Sequence, residues 1–108
     1  MPNYVGGIGP LEPDLMAIGE APGSNENAQG IPFVGASGEI LNDCFRKAGI
    51  RRSEIYLTNV VKYQPPFNDF TKLHLIDVDL NESIKSLWDD EISQRKPKCI
   101  LAIGDEAL

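Results

Sequence analysis

Residues that commonly hold metals or form disulfides are scarce in this chain, which has two cysteines and one histidine among 108 residues. We expect Cys44 on the apolar face of a helix and Cys99 in a buried strand, where thiols usually act as small hydrophobic groups. His74 lies outside every motif, and we expect a solvated position for it because a catalytic base needs a partner within reach. The sequence therefore predicts neither a disulfide nor a metal site.

Long apolar runs are also absent, since no stretch approaches the roughly 18 consecutive apolar residues that a membrane span requires. The first residues, Met-Pro-Asn-Tyr-Val-Gly-Gly, lack the basic start and the apolar core of a signal peptide. We therefore expect an intracellular, cytoplasmic protein with no membrane partner.

Basic residues are outnumbered, because ten lysines and arginines face sixteen acidic residues and give a net charge of -6. This balance argues against a general nucleic-acid binder, since cationic contacts to phosphates supply most non-specific affinity. A positive rim on the acidic body is still compatible with this charge, because several basic residues lie close together in the sequence. They are Arg46, Lys47, Arg51, Arg52 and, after a strand, Lys62.

Strand and helix patterns alternate along the chain, and 42% of the residues are hydrophobic, which is enough for a core. The predicted strands are Leu15–Ile18, Ile55–Asn59 and Cys99–Ile103, and the predicted helices run from about Gly38 to Ala48 and from Asp79 or Asn81 to Arg95. This order predicts an α/β fold, a three-layer α/β/α sandwich with a central parallel sheet. Such a sandwich needs a further helix over its last strand, so we expect one domain, residues 1–108, truncated after that strand.

Both predicted helices have apolar residues at helical spacing. In the first helix, which Ser37 is expected to cap, these are Ile40, Leu41, Cys44, Phe45 and Ala48. In the second they are Ile84, Leu87, Trp88 and Ile92, with Glu91 among them. We expect Trp88 in the core. The segment between Phe67 and Asp79 is predicted only as a loop.

Two glycine-rich segments directly after the first strand have the layout of a site. Gly19-Glu20-Ala21-Pro22-Gly23 places a carboxylate and a rigid turn there, and residues 30–35, Gly-Ile-Pro-Phe-Val-Gly, add an aromatic ring. In open α/β sheets, ligands bind in the crevice beyond the carboxyl ends of such strands. We therefore expect Glu20 and the residues after it to take part in binding or chemistry.

These segments, together with Thr58-Asn59-Val60-Val61-Lys62, Pro65-Pro66 with Asn68, and residues 97–104, resemble the uracil-DNA glycosylase superfamily. The likeness is nearest to its thermophile-type family four and covers about Leu15 to Leu108. It implies an α/β/α fold with a four-stranded parallel sheet and removal of uracil from DNA during base excision repair. Uracil-containing DNA is then the expected partner, with replication or repair proteins as further partners.

The resemblance also implies a role for each matched residue. Phe33 is the face on which the flipped base stacks, and Asn59 reads the base edge. Glu20 lies beside the attacking water and the sugar, and is the catalytic residue. The remaining substrate-binding positions are Ala21 and Gly23, which offer backbone groups at close range, and Glu26 and Asn68, which shape the pocket and its loop. Taken singly, Glu20 could cap a helix, Asn59 could be a turn residue and Phe33 could be core.

The chain departs from the family pattern at two points. Of the four cysteines that usually hold an iron-sulfur cluster, none has a counterpart: Tyr63 stands at the third position and about Ile84 at the fourth. We therefore expect no cluster, with packing around Tyr63, Ile84 and Trp88 in its place. The chain also stops before the loop that normally provides a histidine to the departing base.

Three interpretations follow. The first is a uracil-DNA glycosylase that hydrolyses the N-glycosidic bond of a flipped deoxyuridine, and the intact Glu20, Phe33 and Asn59 favour it. The second is a catalytically inactive DNA- or protein-binding module attached to a polymerase or another replication or repair protein, favoured by the acidic balance and the missing cysteines and loop. The third is an enzyme of this fold acting on another nucleotide or a modified base.

Overall fold

The computed structural model describes residues 2–104 and has a parallel sheet at its centre. Its strands are β1 (Leu15–Gly19), β2 (Tyr56–Asn59) and β3 (Cys99–Ala102), in the order β2-β1-β3. The central strand β1 pairs in parallel with both neighbours, so that Ala17 lies opposite Leu57 and Leu101. The predicted parallel sheet is confirmed, and within residues 2–104 it has three strands where the resemblance implied four.

Helices and turns connect these strands. The helices are α1 (Ser24–Gln29), α2 (Ala36–Lys47), α3 (Leu80–Ser86) and α4 (Ser93–Arg95), and a π-helical segment, Leu87–Ile92, joins the last two. Segments of 3-10 helix cover Arg52–Glu54, Pro66–Asn68 and Phe70–Ile76. The last two of these lie where the sequence predicted only a loop. None of the helices within residues 2–104 combines the length and the apolar character that a bilayer crossing requires.

Side chains on the two faces of β1 pack against different layers, as alternation along a strand requires. Met16 and Ile18 join a cluster with Leu73, from a 3-10 segment, and with Leu87 and Ile92 of the π-helical segment. On the other face, Ala17 joins Leu41 and Phe45 of α2 together with Ile55, Leu57 and Phe33. Strands β1 and β2 are therefore covered on both faces, which confirms the α/β/α arrangement.

The start of α2 and the whole of α1 differ from the prediction. The N-cap of α2 is Gly35 rather than Ser37, so the helix starts at Ala36. The helix α1 is too short and polar to show an apolar period, and Glu26 is its one buried residue. It ends at Gly30, whose φ of 74° lies in the left-handed region that glycine adopts readily.

Several residues expected in the core are exposed instead. Trp88 is 54% exposed, because π-helical i→i+5 bonding shifts apolar residues away from the face that α-helical spacing predicts. Cys44 is exposed because only Leu41 and Phe45, with Gly38, form the buried face of α2. Cys99 is exposed because β3 is an edge strand whose side chains are largely uncovered among the described residues. Ile40 of α2 and Ala48, directly after α2, are exposed as well. His74 is exposed, as predicted.

The N-terminal segment runs along the outer edge of β2. Ile8 forms an antiparallel bridge with Leu57 through two backbone hydrogen bonds of 2.9 and 2.8 Å. Val5 is buried, and its N–H donates to the carbonyl of Lys62 at 2.7 Å. These contacts cover an edge that would otherwise present unpaired backbone groups.

Candidate functional site

A cavity of about 470 Å³ opens beyond the carboxyl ends of β1 and β2. Six of the seven site residues predicted from the sequence line it: Glu20, Ala21, Gly23, Glu26, Phe33 and Asn59. The walls also include apolar side chains of α2, chiefly Ile40 and Leu41, and Ile103 after β3. A mostly apolar hollow with a few polar groups is typical of a small-ligand site.

Phe33 and Asn59 meet over Gly19, the last residue of β1. Gly19 lies opposite Asn59 in the strand register. A Cβ atom on Gly19 would lie 2.5 Å from Asn59 Oδ1 and 2.7 Å from Phe33 Cζ, which leaves no room for any larger residue. The missing side chain at position 19 therefore allows the amide and the aromatic ring to share one wall of the cavity.

Phe33 has an unusual backbone conformation for a bulky residue. Its φ is 56°, in the left-handed region, and its side chain is only 8% exposed. Left-handed geometry costs a non-glycine residue about 1–2 kcal/mol. Such strain often occurs at functional sites, where the surrounding structure holds it in place.

Arg52 holds the strained loop from outside. Its Nη2 donates to the carbonyl of Pro32 and its Nη1 to the carbonyl of Phe33, both at 2.8 Å, and Nη1 also reaches Asn42 Oδ1 at 2.7 Å. On α2, a Cβ at Gly38 would overlap the Phe33 carbonyl, so glycine lets the helix approach the loop closely. No sequence pattern predicts this role of Arg52, because nothing in the spacing brings residue 52 against residues 32 and 33.

Glu26 ties together the starts of two helices. Its carboxylate accepts hydrogen bonds from the N–H groups of Gly23 at 2.9 Å, Val34 at 2.9 Å and Gly35 at 2.6 Å. Gly23 caps α1 and Gly35 caps α2, so the negative charge lies at both helix N-termini. Burial raises the pKa of Glu26, but the hydrogen bonds from backbone N–H groups outweigh it, and the pKa lies below its usual value.

Glu20 follows β1 directly and lies where the ends of all three strands meet. Its carbonyl accepts from the N–H of Val61 at 2.9 Å, which extends the pairing of β1 and β2 past Asn59. Its carboxylate lies against Gly104, where a Cβ atom would overlap it. The φ of Gly104 is 92°, a conformation that favours glycine. The backbone of Glu20 is thus fixed while its side chain reaches the cavity wall.

A buried ion pair lies next to Asn59. Lys62 Nζ is 2.6 Å from Glu91 Oε2, and the two side chains are only 14% and 10% exposed. The hydroxyls of Tyr56 and Thr58 donate to Glu91 Oε1 at 2.8 and 2.7 Å. Burial lowers the pKa of Lys62, although Glu91 opposes this shift, and burial together with the Glu91 acceptor raises the pKa of Tyr56. The sequence allows Lys62 in a positive rim and places Glu91 among the apolar residues of a predicted helix, but no pattern in it pairs the two.

The basic residues that are compatible with a positive rim are mostly engaged in contacts of their own. Lys62 lies in the buried pair and Arg52 in the loop contact. Arg46 and Arg51 are exposed but lie close to acidic neighbours, at 2.6 Å from Asp43 and 3.8 Å from Glu54.

Asn68 is the one predicted site residue that the structure does not bring to the cavity. It is exposed, lies in the 3-10 segment Pro66–Asn68 and accepts a hydrogen bond from Gln64 Nε2 at 3.0 Å. Pro65 and Pro66 rule out a continued strand, because proline lacks the N–H that pairing needs. The chain therefore leaves the sheet before it reaches Asn68.

Comparison with known proteins gives a consistent set of matches. A family profile described as the Uracil DNA glycosylase superfamily matches residues 7–108. The chain is 37% identical over 102 residues to the Type-4 uracil-DNA glycosylase of Pyrobaculum aerophilum, covering 94% of this chain and 50% of that protein. It is 46% identical over 66 residues to the proteins of the same name from Archaeoglobus fulgidus and Thermotoga maritima, covering 61% of this chain and 33% and 34% of theirs. The chain thus spans between a third and half of the length of these relatives.

Proposed function

Because the chain belongs to the uracil DNA glycosylase superfamily, we propose that it hydrolyses the N-glycosidic bond of a deoxyuridine flipped out of DNA. The observation that carries the proposal is the convergence of Glu20, Phe33 and Asn59 on one cavity. Three residues far apart in the chain supply an acid, a ring and an amide, which are the groups that binding and hydrolysis of an extruded base require.

Phe33 and Asn59 bind the base. The ring of Phe33 offers an apolar face for stacking, while the amide oxygen of Asn59 accepts from uracil N3–H and its amide nitrogen donates to O4. Cytosine presents the opposite pattern of donor and acceptor at these two positions. Buried groups left without partners cost about 1–3 kcal/mol each, so this arrangement favours uracil over cytosine.

Glu20 acts on the sugar side of the scissile bond. As the bond between C1′ and the base nitrogen breaks, positive charge develops on the sugar and negative charge on the uracil. The carboxylate of Glu20 stabilises the sugar cation and accepts a proton from the water that attacks C1′. Backbone groups of Ala21 and Gly23 line the same cavity and support the departing base. The uracil anion takes its proton from solvent.

We propose that this domain works without an iron-sulfur cluster and inside the cell, where its DNA substrate lies. The chain has two cysteines, and a cluster of the family type needs four thiolates. Cys44 lies on α2 and Cys99 on β3, so the residues present do not fit the cluster. At the third cysteine position, Tyr63 packs edge-on against the ring of Tyr4, with centroids 5.5 Å apart. Ile84 and Trp88, expected beside it, are 37% and 54% exposed.

The test is uracil release from single- and double-stranded oligonucleotides by the full-length protein. We expect Glu20→Gln to lower the rate at least about 100-fold, because it removes the charge and the proton acceptor. Glu39→Gln is the matched control, since Glu39 is an exposed acid of α2 outside the cavity wall, and its rate should equal that of the wild type. No release by the wild type, together with binding to DNA, would overturn the proposal in favour of a binding module.

A further inference from the structure

The buried pair of Lys62 and Glu91 has no part in the reaction described above, yet it contacts the residue that reads the base. We propose that Lys62, held by Glu91, is a positioning residue that fixes the amide of Asn59 for uracil. This inference rests on the proposed function, because it assigns the determinants of base selectivity at the same site.

The contact acts on the peptide group between Asn59 and Val60. Lys62 Nζ donates to the carbonyl oxygen of Asn59, and the N–H of Val60 donates to the carbonyl of Gly19 at 2.9 Å. With both polar atoms of this peptide group engaged, its plane cannot rotate freely. The side-chain rotamers that Asn59 can adopt depend on the conformation of its backbone, so the Lys62 contact restricts where the amide can point.

Lys62 is a positioning group and not a ligand for the substrate. An ammonium has three donor protons, and three acceptors lie around Nζ: Glu91 Oε2 at 2.6 Å, Thr58 Oγ1 at 2.7 Å and the Asn59 carbonyl. No proton is left for the base or a phosphate. Lys62 is also absent from the lining of the cavity.

Glu91 lies in an arrangement that costs free energy to form. It lies in the π-helical segment Leu87–Ile92. Such turns are rare in proteins overall, but those that occur are often at functional sites. A buried ion pair stabilises a fold no better than well-packed apolar residues do, because both charges lose water. Stability alone therefore does not explain the pair, whereas a fixed donor at the Asn59 carbonyl does.

The experiment uses the full-length protein and removes both charges at once. Lys62→Met alone would leave Glu91 buried and unpaired, so the main variant is Lys62→Met/Glu91→Gln, in which the new amide oxygen at position 91 remains an acceptor for Tyr56 and Thr58. The matched control is Lys85→Met/Asp89→Asn, the same change at an exposed pair 2.7 Å apart. The probes are oligonucleotides with 2′-fluoro-deoxyuridine or 2′-fluoro-deoxycytidine, which allow binding to be measured without cleavage.

We expect the main variant to narrow the preference for the uridine probe over the cytidine probe by about tenfold, with the control unchanged. The side-chain amide resonance of Asn59 should shift or broaden in the main variant alone. A folded main variant with the wild-type preference and an unchanged Asn59 resonance would overturn the inference. If the double variant does not fold, Lys62→Arg replaces it. Arginine keeps the charge but cannot aim its donors at the same three acceptors, so we expect the same loss of preference for the uridine probe.

The two proposals fail in different ways. If the wild type neither releases uracil nor prefers the uridine probe, the proposed function is wrong. In that case the Asn59 resonance still tests whether Lys62 fixes the amide, because measuring this resonance requires neither DNA nor activity.

Discussion

The loops that follow β1 and β2 each contain a phenylalanine in the left-handed conformation, and the two rings have opposite surroundings. Phe33, after β1, has a φ of 56° and is 8% exposed. Phe67, after β2, has a φ of 57° and is 87% exposed. The same backbone strain therefore occurs once inside the candidate site and once on the surface.

The difference lies in what surrounds each strained residue. The carbonyl of Phe33 is held by Arg52 and lies against Gly38, and its ring lies against Gly19 and Asn59. Near Phe67, the ammonium of Lys72 lies 5.4 Å from the ring centroid, an exposed contact of small energy. Strain in the first loop thus fixes a ring where the base would stack. The second loop is anchored at its start through Lys62, while the ring of Phe67 is left in solvent.

Removing the Lys62 contact at the start of the second loop should have the largest effect on the stability of the fold. We expect Lys62→Met to lower the free energy of unfolding by about 3–5 kcal/mol, because it leaves Glu91 buried without its cation. Urea unfolding of the full-length protein measures this. Lys85→Met, at an exposed pair, should cost no more than about 1 kcal/mol. Equal losses in the two variants would mean that burial does not distinguish the pairs.

Phe33→Gly tests the first loop itself. Loss of a buried phenylalanine costs about 3–5 kcal/mol, relief of the left-handed backbone returns about 1–2, and the greater chain entropy of glycine costs about 0.5–1, so we expect a net loss of about 2–4 kcal/mol. Uracil release should fall with it, because the stacking face is gone. Urea unfolding and a release assay check the two parts separately. A stable variant with full activity would show that the ring does not form the base-stacking wall.

Glu26→Gln tests how the same loop is tied to the helices. We expect a loss of about 1–3 kcal/mol, since an amide has one acceptor oxygen where the carboxylate has two for three N–H groups. The folded-state pKa of Glu26 is lowered, so its contribution to stability is fully present above the unfolded value, about 4.3, and is lost as the pH falls through the folded value. Unfolding measured from pH 6 to pH 3 should therefore show a smaller loss in the variant than in the wild type.

Local sequence patterns predicted the sheet and the place of Glu20 for physical reasons, whereas the roles of the site residues were implied by the family resemblance. Leu15 to Ile18 is a continuous apolar run, and such runs form inner strands of parallel sheets. Glu20 follows β1 directly and Asn59 is the last residue of β2, and the parallel order brings the ends of those strands together. Phe33 was identified through the resemblance, although its left-handed backbone has no signature in its own residue type.

Other features depend on contacts that local patterns do not reveal. The π-helical segment turns Trp88 away from the core, because its bonding departs from the α-helical period that places Trp88 beside Leu87 and Ile92. Arg52 reaches back across twenty residues to Pro32, a contact that only the fold creates. Asn68 follows two prolines whose direction out of the sheet depends on the tertiary structure, so its matched position in the sequence did not bring it to the cavity.

Arg52→Met tests the support outside the first loop. We expect a loss of about 1–2 kcal/mol, because hydrogen bonds from a charged donor to the carbonyls of Pro32 and Phe33 disappear at a half-buried site. Arg51→Met is the matched control one residue away, where the cation has only a loose contact to Glu54 at 3.8 Å. Urea unfolding, and KM for a uracil oligonucleotide, should change in the first variant alone. Parallel changes in both would exclude a specific role for Arg52.

Phe67→Gly should have the smallest effect, and it completes the comparison with Phe33→Gly. The change removes the strain of the left-handed backbone, which stabilises the folded state by about 1–2 kcal/mol. It also gives the unfolded chain more entropy, which lowers the free energy of unfolding by about 0.5–1 kcal/mol. The exposed ring contributes little, so we expect a net change within about 1 kcal/mol, in the stabilising direction, by urea unfolding. A loss as large as that of Phe33→Gly would mean that the ring at position 67 is buried in the full-length protein. The two loops would then not differ as their exposure indicates.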